Sequence, residues 1–185
     1  MMSFFSNFGQ VAHTLPNGEK IIINNITKWA TIEKKYRYDP RLHISYTIKD
    51  NETPEILSNR LYGSVRFWWT VLILNDISDM FSEWPLSNDA LDRLVYEKYW
   101  GLDPSDTHHY EDAYGDVIDP YALWRIGKYP TPYAAISDLN LISISNYEHE
   151  YRRNEQKKNI KLIDPDYISN LERELVEAFV NDNGF

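Results

Sequence analysis

Five histidines, His13, His43, His108, His109 and His149, are the residues of this chain best suited to metal or acid–base chemistry. A zinc hydrolase of the common helical type needs His-Glu-x-x-His, which puts two imidazoles one turn apart beside a general base. His149-Glu150 begins that pattern, but Arg153 stands where the second histidine is needed. His108-His109 lies in the acidic run Asp103 to Glu111, where Asp106 or Asp112 would be the complementary oxygen ligands. Adjacent histidines on a loop are more often exposed polar residues than ligands, so no metal ligand is assigned. Carboxylates number 28, and a glycosidase-like pair cannot be singled out among so many. Cysteine is absent, which excludes disulfides, thiol nucleophiles and Cys-ligated zinc. The seven glycines form no phosphate-cradling loop, and there is no Gly-x-Ser-x-Gly elbow. The expectation is a protein that is not an enzyme and uses no cofactor.

Binding chemistry is more visible. Arg152, Arg153, Lys157, Lys158 and Lys161 are interleaved with Glu148, Glu150 and Glu155. Such a run reads as a solvated face, or as a charged rim that sets the register of a protein interface. A formal net charge of -9 argues against tracking a nucleic-acid backbone, which needs clustered cations. The longest apolar run, Val71-Leu72-Ile73-Leu74, is far short of the ~20 residues a membrane helix needs. The N-terminus lacks the basic and apolar regions of a signal peptide. Neither nucleic acid nor membrane is expected as a partner. Aromatic residues make up 15% of the chain, with 14 Tyr and 6 Trp, although mean hydropathy is -0.53. Tyr and Trp have an apolar body and a polar tip, which suits either a core or a surface that is buried in a complex.

The elements that must position these residues read most clearly over 44–77. Ile44, Tyr46 and Ile48 alternate with polar neighbours, the period of a half-buried strand. Thr53 is placed to cap a helix, with Pro54 at its first position, Leu57 and Leu61 stacked a turn apart, and Gly63 ending it. A second helix follows, carrying Val65, Phe67, Trp68, Trp69, Val71, Leu72, Ile73 and Leu74. It is apolar nearly all round and must be covered on more than one side, by the rest of the chain or by a partner. A unit of about 40 residues cannot easily do so alone, and partner proteins are expected to complete the enclosure. Ser87 is the candidate cap of a third helix to Gly101, with Leu91, Leu94, Val95 and Tyr99 as its stripe.

Residues 1–30 show no clean period beyond a turn at Pro16-Asn17-Gly18 and an apolar run at 21–23. Phe4, Phe5 and Phe8 suggest an arm that docks elsewhere, and a short helix is expected around Ile26, Trp29, Ala30 and Ile32. From 102 to 133 the chain reads as an irregular aromatic meander through Tyr110, Tyr114, Tyr121, Trp124, Tyr129 and Tyr133, a length of loop that is usually functional or partner-bound. Leu139–Ser145 reads as a strand, and a charged segment follows. After the apolar run Ile160-Lys161-Leu162-Ile163, Asp164-Pro165 opens a last helix.

Strand, capped helix, Gly and second helix resemble a LysM unit, whose order is strand, helix, helix, strand. The usual Gly-Asp of the first turn is Asn51-Glu52 here, and no closing strand is recognisable in Met80-Phe81-Ser82-Glu83-Trp84-Pro85-Leu86. The run Leu61-Tyr62-Gly63, then Phe67-Trp68-Trp69, then Leu72-Ile73-Leu74-Asn75-Asp76-Ile77 more closely resembles baseplate wedge proteins of T-even-type contractile-tailed phages, the gene product fifty-three family. Tyr147-Glu148 and Asn154-Glu155-Gln156-Lys157-Lys158-Asn159-Ile160-Lys161-Leu162-Ile163 agree with it, so that the likeness spans roughly 26–180.

The resemblance implies an α+β fold in three segments: an N-terminal arm and short helix (1–43), a LysM-like unit (44–86), and a C-terminal interaction region (87–185). It implies a non-enzymatic virion component, made in the host cytoplasm, that joins neighbouring wedges and contacts other wedge and inner-baseplate proteins. The candidate interaction residues are Phe67, Trp68, Trp69, Leu72, Trp84, Tyr121, Trp124, Tyr129, Arg152, Arg153, Lys157 and Lys158. Glycan binding is not expected. The alternative is a peptidoglycan-binding LysM module of a phage lysis or tail-tip protein.

Overall fold

Thr53 does what its position demands: its hydroxyl accepts from the Ile56 amide and starts a helix, α2 (Pro54–Tyr62), with Pro54 and Glu55 in the first turn. Gly63 ends that helix at φ 68, a left-handed conformation that costs glycine little. A short 3-10 turn leads into α3 (Trp68–Leu74). Before them runs β3 (His43–Thr47), in the alternation expected from Ile44 and Tyr46. The turn between β3 and α2 puts Asn51 at φ 58, where asparagine is one of the few tolerated side chains. The buried Glu52 carboxylate closes that turn. It accepts from the Lys49 amide at 3.0 Å and the Tyr46 hydroxyl at 2.8 Å, and pairs with Arg60 at 2.5 Å.

The computed structural model describes residues 10–24 and 34–182. The expected arm at Phe4, Phe5 and Phe8 and the expected helix around Ile26 and Trp29 lie outside the described residues. The remaining elements are the hairpin β1 (Gln10–Thr14) and β2 (Lys20–Asn24), α1 (Lys34–Tyr38), α4 (Met80–Glu83), α5 (Asn88–Lys98), β4 (Thr107–Glu111), β5 (Val117–Ile118), α6 (Pro120–Arg125), α7 (Pro132–Asp138), β6 (Ile142–Ser145), α8 (Asn146–Lys157), β7 (Asn159–Ile163) and α9 (Pro165–Asp182). The fold is α+β. The supposed meander from 102 to 133 contains two strands, one helix and the start of another, which corrects the irregular reading. Asp119 and Thr131, each ahead of a proline, cap α6 and α7, so the Pro-rich breaks there are helix starts.

Two compact units result. The first is Met1–Trp84 with Lys158–Phe185, and the second is Pro85–Lys157. In the first, β3 pairs antiparallel with β7, Ile44 opposite Leu162 and Tyr46 opposite Ile160. The strand partner thus comes from 159–163, and 80–83 is a helical turn, α4.

This return of the chain also covers the over-apolar second helix. Phe67 and Leu74 pack with Tyr36, Ile163, Ile168 and Leu171 in one buried cluster. Val71 packs with Ile48, Leu57, Trp84, Ile160 and Leu162 in another. The two covers are β7 and α9 of the same chain, so the expectation that partner proteins must enclose this helix is corrected. Asn75 fastens the junction: its amide donates to the Val71 and Lys161 carbonyls and accepts from the Lys161 amide, all within 2.8 Å.

The second unit holds a three-stranded antiparallel sheet of order β5-β4-β6, with α8 following β6 directly. The buried side of α8 is polar: Asn146, Glu150 and Asn154, each four residues after the last, are all buried. Asn154 accepts from the Leu86 amide at 2.7 Å and donates to its carbonyl at 2.9 Å. Asn146 donates to the Asp103 carbonyl at 3.3 Å. Glu150 accepts from Lys98 Nζ at 2.7 Å and from the Tyr99 hydroxyl at 3.0 Å.

Candidate functional site

The singled-out residues separate by unit. In the first, Phe67, Trp69 and Trp84 are buried, and Trp68 and Leu72 are half-buried. The Trp84 indole N–H donates to the Glu52 carbonyl at 2.9 Å, as a buried tryptophan must to avoid an unsatisfied donor. Tyr62 stacks edge-on against Phe67, and its hydroxyl donates to the Ile163 carbonyl. Burial pushes that phenol up to about 12.

In the second unit several aromatic residues are exposed. Tyr121 and Trp124 are exposed on α6, which Asp119 caps through the Tyr121 and Ala122 amides. Tyr129 is half-buried and donates to Asp138 at 3.1 Å. Tyr114 and Tyr133, named from the sequence, each expose more than 60% of their surface, as do Tyr96, Trp100, Val117 and Ile126, which sequence reasoning missed. Tyr96 and Trp100 meet edge-on at 5.2 Å and, with Tyr99, Leu102 and Pro104, line a surface pocket.

Within the basic cluster, Arg152 is committed internally, bridging Glu148 at 2.6 Å and Glu111 at 2.8 Å. Arg153 is exposed, 3.9 Å from the buried Glu150, while Lys157 and Lys158 are half-buried. Burial disfavours the Glu150 anion, yet the hydrogen bonds from Lys98 and Tyr99 outweigh it and hold the carboxyl below the usual range. Lys98 is correspondingly raised by that hydrogen bond.

The structure also gathers three of the five histidines. His108 and His109 on β4 meet His149 from α8, with one ring nitrogen of each inside a 4.8 Å circle. The His108 and His149 rings stack at 4.0 Å, nearly parallel. The His108 and His109 Nδ1 atoms lie 2.8 Å apart, and His109 Nε2 is 3.0 Å from Glu111 Oε1. Burial first, and then a neighbouring imidazole, pushes both His108 and His149 below the ordinary histidine range. The oxygen ligands considered from sequence are spent on turns: Asp106 accepts from the Asp103 amide, and Asp112 from those of Tyr114 and Asp116. No spacing rule could have added His149, because only the docking of α8 against β4 brings it near.

Comparison with known proteins supplies the family. The family model described as base plate wedge protein 53 matches residues 1–124. The baseplate wedge protein gp53 of Enterobacteria phage T4 is 24% identical over 152 residues, which cover 76% of this chain and 75% of that protein. With more than half of its length matched by the family model, this chain belongs to the base plate wedge protein 53 family.

Proposed function

We propose that this protein is a non-enzymatic structural component of a contractile phage tail baseplate and joins neighbouring wedge subunits by protein–protein contact. Membership of a family described as base plate wedge proteins supports the baseplate role. The observation that carries the joining role is the exposed aromatic surface of the second unit, with Trp100, Tyr114, Tyr121, Trp124 and Tyr133 turned to solvent. Large exposed aromatic side chains lose much apolar surface on contact at little entropic cost, which makes them typical anchors of interfaces. On this reading the protein makes its contacts through Tyr121, Trp124 and Tyr129 and through Arg153, Lys157 and Lys158. Its partners are other wedge and inner-baseplate proteins, and its place is the virion tail. No helix among the described residues is long and apolar enough to cross a membrane.

Co-expression with the neighbouring wedge proteins of the same phage tests the reading. The wild-type chain is expected to co-purify with them. The double variant Tyr121→Ala/Trp124→Ala is expected to fall out of the complex while keeping its own melting temperature. Failure of the wild-type chain to enter any wedge complex would overturn the role; undiminished entry of the variant would move the contact elsewhere.

A second reading has its own support in the first unit, where β3, α2, α3 and β7 run in the order strand, helix, helix, strand. On this reading the unit is LysM-like, with residues 85–157 inserted before its closing strand. Retention of the chain on insoluble peptidoglycan at high salt would favour a glycan-binding module over a purely structural one.

A further inference from the structure

Neighbouring residues on a strand normally point to opposite faces of the sheet. His108 and His109 do not, and the register of β4 against β6 gives the cause. Thr107 faces Ser145 and His109 faces Ile144, so His108 is the extra residue of a bulge and pairs with nothing. A bulge re-aims the side chain it carries, and here it turns the His108 ring to within hydrogen-bond distance of His109 Nδ1 and into a stack with His149. Three imidazoles from two elements meet where a regular strand would have separated them.

Their orientation is fixed from behind. Glu111, ion-paired with Arg152 at 2.8 Å, faces His109 as an acceptor. His109 Nε2 must therefore carry the proton that bonds Glu111, which leaves Nδ1 with its lone pair directed at His108 Nδ1, 2.8 Å away. A carboxylate behind a histidine, fixing tautomer and ring plane, is the arrangement that accompanies metal-ligating imidazoles. Arg152 in turn holds Glu111 and Glu148, so that the support extends back to α8.

We propose that His108, His109 and His149 form a three-histidine site for a divalent transition metal of the zinc class, supported by Glu111. Zinc–nitrogen bonds of about 2.0–2.1 Å in a tetrahedron set the nitrogens roughly 3.3 Å apart. The nitrogens here lie within 4.8 Å of one another, and ring rotations that open the His108–His149 stack bring their in-plane lone pairs onto one metal. Imidazole selects zinc, cobalt, nickel or copper over calcium and magnesium, which prefer oxygen. Three protein ligands leave one tetrahedral position for water. The ion ties the bulged strand β4 to helix α8, and it stabilises the second unit because it binds the folded form alone.

The test uses the full chain without a histidine tag, stripped with EDTA and titrated with zinc chloride. The expected result is one equivalent bound, with a rise in melting temperature that EDTA reverses. Cobalt in place of zinc is expected to give the visible absorption of a tetrahedral site. His109→Gln and His149→Gln lose the equivalent, and His13→Gln, on the β1–β2 hairpin of the first unit, keeps it. If either histidine variant fails to fold, Glu111→Gln still decides the matter, because loss of the supporting carboxylate weakens binding by about 10–100-fold. Substoichiometric zinc on the wild-type chain would overturn the site. So would an equivalent that survives in folded His109→Gln/His149→Gln, or an affinity unchanged by Glu111→Gln.

Discussion

The two units treat their tryptophans in opposite ways. In the first, Trp69 and Trp84 retain 5% and 8% of their exposure, and Trp84 packs with Ile160 and Leu162 of β7; in the second, Trp100 and Trp124 retain 74% and 47%. Their buried polar groups differ as well. Glu52 in the first unit closes a single turn, whereas the second unit lines one face of α8 with Asn146, Glu150 and Asn154. One device is shared, an asparagine amide clasping a distant backbone: Asn75 on Lys161 and Asn154 on Leu86. The first unit is not wholly sealed, since Phe81, Ile22 and Tyr38 remain exposed. The difference nevertheless separates two uses of aromatic residues. Apolar area that the chain itself covers contributes to folding, while apolar area left in solvent is available to another surface.

The sharpest way to break this comparison is Trp69→Ala, which deletes a large side chain from the core. It is expected to destabilise the protein by about 3–5 kcal/mol, read by urea denaturation. A loss below about 1 kcal/mol would mean that the first unit is not the sealed one.

Next in size is Glu150→Ala, which strands Lys98 and Tyr99. The expected loss is about 1–3 kcal/mol, toward the low end because Lys98 reaches solvent. If the loss is negligible, the polar face of α8 is not what holds the second unit together.

Tyr62→Phe removes one hydrogen bond and is expected to cost about 1 kcal/mol. The sign of its pH effect follows from the raised phenol. The folded state keeps the proton up to about 12, while the unfolded tyrosine loses it near its ordinary value of 10. The Tyr62 contribution is therefore whole below 10 and is lost as the pH rises through 12. Stability measured between these limits should fall less steeply in the phenylalanine variant than in wild type.

The smallest effect belongs to Tyr121→Ala/Trp124→Ala, within about 0.5 kcal/mol of wild type in stability. A larger change would show that α6 serves the fold and not the surface. Tyr114→Ala, at a side chain 91% exposed, sharpens the same point and should leave the melting temperature unmoved.

What was legible before the structure was local. Thr53, Pro54 and Gly63 bound α2 as their chemistry requires, and Ser87 caps α5 by accepting from the Ala90 amide. β3 follows its alternation, and β7 coincides with the run at 160–163. Helix α8 was harder to see because its buried stripe is Asn146, Glu150 and Asn154, and a search for apolar periodicity passes over a polar stripe. The β1–β2 hairpin was missed because the Gln10–Thr14 strand is exposed along its whole length and has no buried face to impose a period. At the histidines, sequence offered His108 and His109 with the wrong companions, since their neighbours Asp106 and Asp112 were already needed by turns.

By itself the sequence determined the caps, the stops, the apolar strips, the absence of thiol chemistry and the motif-level likeness to wedge proteins. All of these depend on residues within a few positions of one another, where backbone geometry sets the distance. The tertiary structure alone decided that residues 159–163 complete the first unit and cover its tryptophan helix, and that a bulge in β4 brings His108 and His109 to His149. Those outcomes depend on which remote segments pack together, and such pairings are set by burial and hydrogen bonding summed over the whole chain.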